Sequence, residues 1–537
     1  MKRFAGLLLA LALLVGTGAA AHAEVPTASG AAYEIFVGSF ADSDGDGVGD
    51  LRGIEEKLDY IASLGVDMIW LTPIHPSPSY HHYDVTDYYA VAPEFGTLED
   101  FDSLVAACGE RGIGVILDLV VNHTSSEHPW FLEACAALGE GRESPLTDWY
   151  NFTEGAGAHD VPGAAGWFYE GQFGYHMPDL NLDSEAVREE IAGIIAFWQG
   201  HGVAGFRLDA TTSYYTGAPA KNAAFVRFIC ETARANDPDS YVVGECWADG
   251  QTILGLYESG IDSLFNFPAA DVDGLFVQAA LNARGAALAR RLAEWNDSVR
   301  AVSPASQDAP FLTNHDIARA RGMLRSDMGA MKTAAMLYLL LPGRPFIYYG
   351  EELGMSGSGR DENKRLPMLW SAADEDQNCL PPVEADQKQR LKEGVAEQED
   401  DEDSLLNWYR RLIALRSLAP ELARGEMTAL DAGSDAVCAF TVTDGTTVAV
   451  LINTSGTETA RLKMFELGLD NIQVLGCVGT TAQALTAGEL PPLSCAVVRV
   501  LASWEAEAGV ARQRVCPCRE EEEDARKALL VGAFSGQ

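Results

Sequence analysis

Eight short apolar runs alternate along most of the chain with stretches whose apolar residues recur at helical spacing. The runs begin at Tyr33 (YEIFVGSF), Met68 (MIWLTPI), Gly114 (GVILDLV), Ala204 (AGFRLDA), Ser240 (SYVVGEC), Asp262 (DSLFNF), Pro310 (PFLTNHD) and Pro345 (PFIYYG). Several are apolar on both faces, which suits strands of a parallel sheet covered by helices. Between them, Ile54, Leu58, Ile61 and Leu64 keep helical spacing, as do Phe101, Leu104, Val105 and Cys108, and Ile191, Ile194, Ile195 and Trp198. Eight strand–helix units predict an α/β fold of the (β/α)8 TIM-barrel type, in which reactive residues belong where the strands end.

Asp118, Asp209, Glu245 and Asp316 all occupy such ends. A carboxylate closing an apolar run is costly unless hydrogen bonds or cations compensate. A structural ion pair would account for any one of them alone. Together, with Arg207 two residues before Asp209 and His315 next to Asp316, they point to a catalytic site.

At 537 residues the chain exceeds one ordinary core, so a large domain with smaller ones is expected. Residues 1–23 read as a secretory signal: Lys2 and Arg3, an apolar stretch from Phe4 to Val15, and Ala21-His22-Ala23 as the cleavage site. Residues 24–121 and 184–429 form the barrel. The connection 122–183 is too long for a loop and is read as an inserted domain. After it, AVCAFTV, TTVAVLINT (across the Asp444-Gly445 turn) and LSCAVVRVL predict an antiparallel β-sandwich over 430–501. Residues 502–537, with the acid run Glu520–Asp524, form a charged tail without an assigned role.

The formal charge of −40 from 38 basic and 78 acidic residues disfavours nucleic acid and anionic membranes as partners. It suits a neutral substrate and a soluble extracellular monomer, with no membrane attachment once the signal is cleaved. The ten Cys have no repeating interval, and no disulfide framework or zinc site is expected.

The loop DSDGDGVGD alternates Asp42, Asp44, Asp46 and Asp50 with glycines that allow a tight wrap. Hard oxygen ligands at alternate positions suit calcium, with the Val48 carbonyl as a further ligand. The twelfth position is Gly53, so the bidentate Glu of an EF-hand is absent.

DLVVNH, GFRLDA, GECW and TNHD, in that order, resemble the four signature regions of the alpha-amylase superfamily, glycoside hydrolase family 13. The resemblance runs from Tyr33 to Leu501 and includes LPGRPFIYYGEELGM and DENKRLPMLW. It implies a barrel with an inserted domain B and a C-terminal β-sandwich. It implies Asp209 as nucleophile, Glu245 as general acid and base, and Asp316 as the acid that stabilises the transition state. It further implies Tyr83, His81, His123, Arg207, His315, Asp361 and Arg365 around the sugars, with the histidines as neutral hydroxyl partners. A calcium ion at the Asp42–Asp50 loop and a second at Asn122 and Asp179 belong to the same implication.

MPDLN at Met177–Asn181 resembles a form intermediate between the oligo-1,6-glucosidase and neopullulanase groups, and Ala210 after the nucleophile accompanies α-1,4 cleavage in this group. Thr212 and Ser213 stand where a Lys and a His are common, and His82 where Gly is common. The expected activity is an α-amylase acting on starch or maltodextrins. An exo-acting α-glucosidase or transglycosylase, and a non-catalytic amylase-like binding protein, are the alternatives.

Overall fold

The computed structural model describes residues 30–373 and 379–501; the signal at 1–23 and the tail at 502–537 lie outside them. Eight parallel strands form the barrel: β1 (Ala32–Ile35), β2 (Met68–Leu71), β3 (Gly114–Leu119), β7 (Gly205–Leu208), β8 (Tyr241–Gly244), β9 (Ser263–Phe265), β10 (Gln307–Ala309) and β11 (Phe346–Tyr348). Hydrogen bonding runs β10-β9-β8-β7-β3-β2-β1-β11. A parallel bridge from Phe311 to Phe346 and the Phe346 N–H to Pro310 carbonyl bond at 2.9 Å close the ring.

Alternate strand positions separate two apolar environments. Tyr33, Ile35, Ile69, Leu71, Val115, Leu117, Phe206 and Leu208 pack outward among the helices. Ala32, Met68, Trp70, Ile116, Tyr241, Val243, Phe265 and Phe346 fill the interior. Trp70 lies 5.6 Å from Phe265 and 6.3 Å from Phe346, so aromatic rings plug the barrel below its C-terminal rim. Of the helices, Leu98–Glu110 starts with a Thr97–Asp100 capping box and buries Phe101, Leu104 and Cys108. The Ile54–Leu64 pattern is divided into helices Leu51–Glu56 and Leu58–Leu64, because Lys57 leaves helical backbone at φ −100°, ψ 9°.

Two elements differ from expectation. The seventh strand precedes Pro310 instead of starting there, since Pro310 has no N–H for the ladder. Beyond it the Asn314 side-chain oxygen accepts the N–H groups of Asp316 and Ile317, so Asn314-His315-Asp316 is a turn. In the C-terminal region the first strand, β12 (Glu426–Ala429), starts ahead of residue 430 because Met427 is buried and its N–H reaches Asn296 at 3.0 Å.

Between β3 and β7 the chain builds the helix Pro129–Glu140 and a small sheet of β4 (Phe152–Glu154), β5 (His159–Asp160) and β6 (Trp167–Tyr169), ordered β4-β6-β5. Phe131, Tyr150 and Tyr169 form its aromatic core. After the barrel, β12 is joined by β13 (Val437–Asp444), β14 (Thr446–Asn453), β16 (Ile472–Val478) and β18 (Ser494–Val500) in the order β12-β13-β14-β18-β16. Cys438, Phe440 and Val442 belong to the core shared with the barrel, while Val437 and Ala439 join a second core. A ribbon of β15 (Ala460–Arg461) and β17 (Glu489–Leu490) contributes Ala460 and Leu490 to that second core. The sheet is therefore covered on both faces.

Candidate active site

Strand alternation directs Glu34, Asp118 and Arg207 into the barrel mouth, and Asp209 and Glu245 follow one residue beyond β7 and β8. Arg207 is buried over the Trp70 ring, 5.0 Å from its centroid. Its Nη1 donates to Asp118 Oδ1 and to Asp209 Oδ1, each at 2.8 Å, and Nη2 lies 2.9 Å from Glu245 Oε2. Glu245 Oε2 also accepts the Ala210 N–H at 2.9 Å. Ala210 has φ 47°, an uncommon conformation for a residue with a Cβ; the turn after Asp209 thus aims an amide at the neighbouring acid. Both donors use Oε2, which leaves Glu245 Oε1 to carry a proton.

Burial pushes Asp209 up to about 6, with Arg207 opposing and Asp118 adding to the rise. Burial pushes Glu245 up to about 7, against Arg207 and with the help of Asp209 and Asp316. Burial would also raise Asp316, but His315 and then Arg365 hold it well below the usual carboxylate range. The Asp316 oxygens meet His315 Nε2 at 3.1 Å and Arg365 Nη2 at 2.9 Å.

These groups stand at the base of an open cavity of about 600 Å³, lined by His81, Tyr83, His123, Asp209, Glu245, Asp316, Asp361 and Arg365 among others. Tyr83 stacks on His315 at 5.5 Å and donates to Asp118 Oδ2 at 2.9 Å. Burial lowers His81 and His123 to about 4, so both are neutral near pH 7. His315 differs from the neutral hydroxyl partner expected from the sequence: burial alone would lower it, but Asp316 and Glu34 raise it to about 9.

Arg207 does not line the cavity; its contacts are to the acids. Arg365 reaches the wall but is buried, and donates to Asp316, to Tyr80 at 2.7 Å and to the His315 carbonyl at 3.2 Å. Asp361 is exposed and pairs with Lys364 at 2.8 Å. Sequence reasoning passed over Lys364, Trp247 and Phe173, which also line the cavity. Trp247 is half-exposed and stacks on Phe267 at 5.0 Å. Its place beside Glu245 in GECW was the available signal.

In the acidic loop, Asp42, Asp44 and Asp50 each bring a carboxylate oxygen within 4.8 Å of the others, a donor set that fits a hard cation. The structure does not bring Asp46 into this group; its Oδ1 accepts the Val48 N–H at 2.7 Å. Asn122 Nδ2 donates to Asp179 Oδ1 at 3.1 Å. Among the described residues no set of three acids, His or Cys converges there as it does at the loop. The Ser213 carbonyl accepts Gln172 Nε2 at 2.7 Å.

The model of the alpha amylase catalytic domain matches residues 34–425. The chain belongs to the alpha-amylase family. It is a glycoside hydrolase of that family. It is 38% identical over 418 residues to alpha-amylase 3 of Dictyoglomus thermophilum, covering 76% of this chain and 81% of the relative. It is 31% identical over 485 residues to a glucan 1,6-alpha-glucosidase of Streptococcus pneumoniae, covering 77% of this chain and 88% of the relative. Among solved structures, Eubacterium rectale Amy13B superposes with a TM-score of 0.82 at 37% identity, covering 89% of this chain and 97% of the other. The family therefore includes amylase and glucosidase relatives at comparable lengths of match.

Proposed function

We propose that this member of the alpha-amylase family is a secreted, retaining α-amylase that hydrolyses α-1,4-glucosidic bonds within starch and maltodextrins. The observation that carries this reading is the pair Asp209 and Glu245 on the two terminal nitrogens of Arg207, beneath an open cavity. Retaining glycosidases need two neighbouring carboxylates, about 5–5.5 Å apart, and one guanidinium that holds both acids supports that reading. Asp209 Oδ2, free of Arg207, attacks the anomeric carbon, while Glu245 Oε1 protonates the departing glycosidic oxygen. A water then displaces Asp209 from the sugar, giving its proton to Glu245. Asp316, ionised between His315 and Arg365, stabilises the charge that develops on the ring. Tyr83 offers its ring to the sugar, and neutral His81 and His123 meet its hydroxyls.

The half-exposed Trp247 and Phe173 extend the wall past the acids and support binding of several sugars, hence attack within a chain. Asp42, Asp44 and Asp50, with the Val48 carbonyl, are the residues that would hold one calcium ion, with Asp46 joining by releasing the Val48 N–H. Calcium there would neutralise crowded carboxylates and brace the loop. Residues 1–23 are read as the signal that sends the chain out of the cell, where it acts as a monomer.

The test is a time course on soluble starch with the anomeric configuration followed by NMR. Mixed oligosaccharides released first as α-anomers are expected, and Asp209→Asn should lower kcat more than about 10³-fold. Glucose as sole early product would favour the exo-acting α-glucosidase, and β-anomers would exclude the covalent route.

A further inference from the structure

Glu34 is a charged residue inside an otherwise apolar barrel strand, and the reaction outlined above gives it no task. It is 1% exposed and points into the barrel two positions after Ala32. Its Oε1 lies 2.6 Å from His315 Nδ1 and 3.3 Å from the His315 backbone N–H.

The hydrogen bonds around His315 fix its protons. Burial pushes the Glu34 carboxyl up, with His315 and then Arg207 opposing; with Glu34 ionised by these partners it only accepts, and Nδ1 carries the hydrogen. On the other side, Nε2 lies 2.7 Å from the Tyr83 hydroxyl and 3.1 Å from Asp316 Oδ2. Tyr83 has one proton and gives it to Asp118 Oδ2 at 2.9 Å, where Asp118 is itself ion-paired with Arg207 at 2.8 Å. The Tyr83 oxygen must then accept from Nε2, and Asp316 can only accept from it. Both ring nitrogens are donors, and a ring with two donors is an imidazolium.

We propose that Glu34 is a positioning residue: from inside the barrel it holds His315 as a cation, and through that cation it keeps Asp316 ionised and directed into the cleft. The balance of charge explains why an acid is needed there. The groups facing His315 are Glu34 from β1, Tyr83 from the loop after β2, Asp118 from β3, Arg207 from β7, and Asp316 and Arg365. Two of them are cations, and Asp118 is already paired with Arg207. Without Glu34, burial drives a fully enclosed imidazole toward its neutral form. The Asp316 carboxylate would then keep Arg365 as its one ion-pair partner among the described residues, since Lys364 donates to the Asp316 backbone carbonyl and not to the carboxylate. Glu34 touches His315 and does not line the cavity, so its contact with the site runs through that residue.

This rests on the glycosidase reading of the site, but its test reads the histidine directly. The full chain is labelled with ¹⁵N in histidine, and the His315 ring signals are assigned by their loss in His315→Gln. In the unaltered protein both ring nitrogens are expected to hold protons at pH 8, where an ordinary imidazole with a pKa of about 6.5 is neutral. In Glu34→Gln the ring should titrate at least about two units lower, toward that ordinary value. Its kcat on starch should fall about tenfold or more with KM little moved, the rate equivalent of one pKa unit of lost charge interaction. A singly protonated ring at pH 8 in the unaltered protein overturns the proposal, and so does a Glu34→Gln midpoint that stays in place. If Glu34→Gln does not fold, the measurement on the unaltered protein decides alone. A charged His315 in a protein that hydrolyses no glycoside would sink the functional reading and leave this one standing.

Discussion

Glu245 has one oxygen engaged by Arg207 and Ala210 and the other turned to the cleft, so its protonation state is set by its surroundings more than by its identity as a carboxylic acid. With Asp209 pushed up to about 6 and Glu245 to about 7, kcat/KM on maltodextrin should rise as Asp209 ionises through about pH 6 and fall as Glu245 deprotonates above about pH 7. Glu245→Gln should remove the alkaline limb and lower kcat on starch by ~10²–10⁴-fold. A glycosyl fluoride, whose leaving group needs no proton, should be largely spared in a side-by-side assay. The acids and Arg207 were legible in the sequence because a charge set at strand spacing inside an apolar run is costly to bury and needs a partner of opposite sign close by. Glu34 obeys the same rule in YEIF, yet its partner His315 is 281 residues away, and no local pattern joins them. That is also why His315 reads as a neutral hydroxyl partner from the sequence alone.

The strands were legible as elements because each is a compact apolar run; their ends were not always so. Pro310 looks like the first residue of a strand, but the seventh strand ends at Ala309, just before it, and the Asn314–Asp316 turn lies beyond. β16 escaped notice because most of its residues are only half-buried and its apolar pattern is correspondingly weak. At the acidic loop the neighbouring segment matters: Leu380 N–H bonds to the Gly47 carbonyl at 2.7 Å, and Asn363 Oδ1 accepts from Asp386 and Gln387 at 3.0 and 2.9 Å. Asn363 belongs to the helix Asp361–Lys364, which directly precedes Arg365. A cation in the loop would thus brace a segment that abuts the cleft. Chelation should lower Tm by roughly 3 °C, as follows for a chain of this length if calcium at about 100 times its Kd adds about 2.7 kcal/mol. Calorimetry with and without a chelator checks this: calcium should restore Tm better than magnesium, and Asp44→Asn should abolish the effect. A Tm indifferent to chelation would remove calcium from the account.

Over the whole molecule, buried titratable groups set how stability follows pH. His75, His81, His123 and His128 are lowered to about 4 by burial, so above about pH 6.5 they are neutral in folded and unfolded chains alike and drop out. Glu245 and Glu351 are raised to about 7 by burial, and His315, despite burial, is raised to about 9 by Asp316 and Glu34. Groups with raised folded-state values bind more protons folded than unfolded, so their stabilisation fades as pH rises through those values. Tm measured by calorimetry should therefore decline from about pH 6.5 to about pH 9, chiefly through His315, and Glu351→Gln should make only the part below about pH 7 shallower. Among the bonds that tie the inserted layer to the barrel is that of Gln172, whose amide reaches the Ser213 carbonyl in the turn that follows Asp209. Three residues back along that turn is Ala210, whose N–H steadies Glu245. A long polymer that grips the overhang would thus pull, through the Gln172 amide, on the same few residues that hold the proton donor.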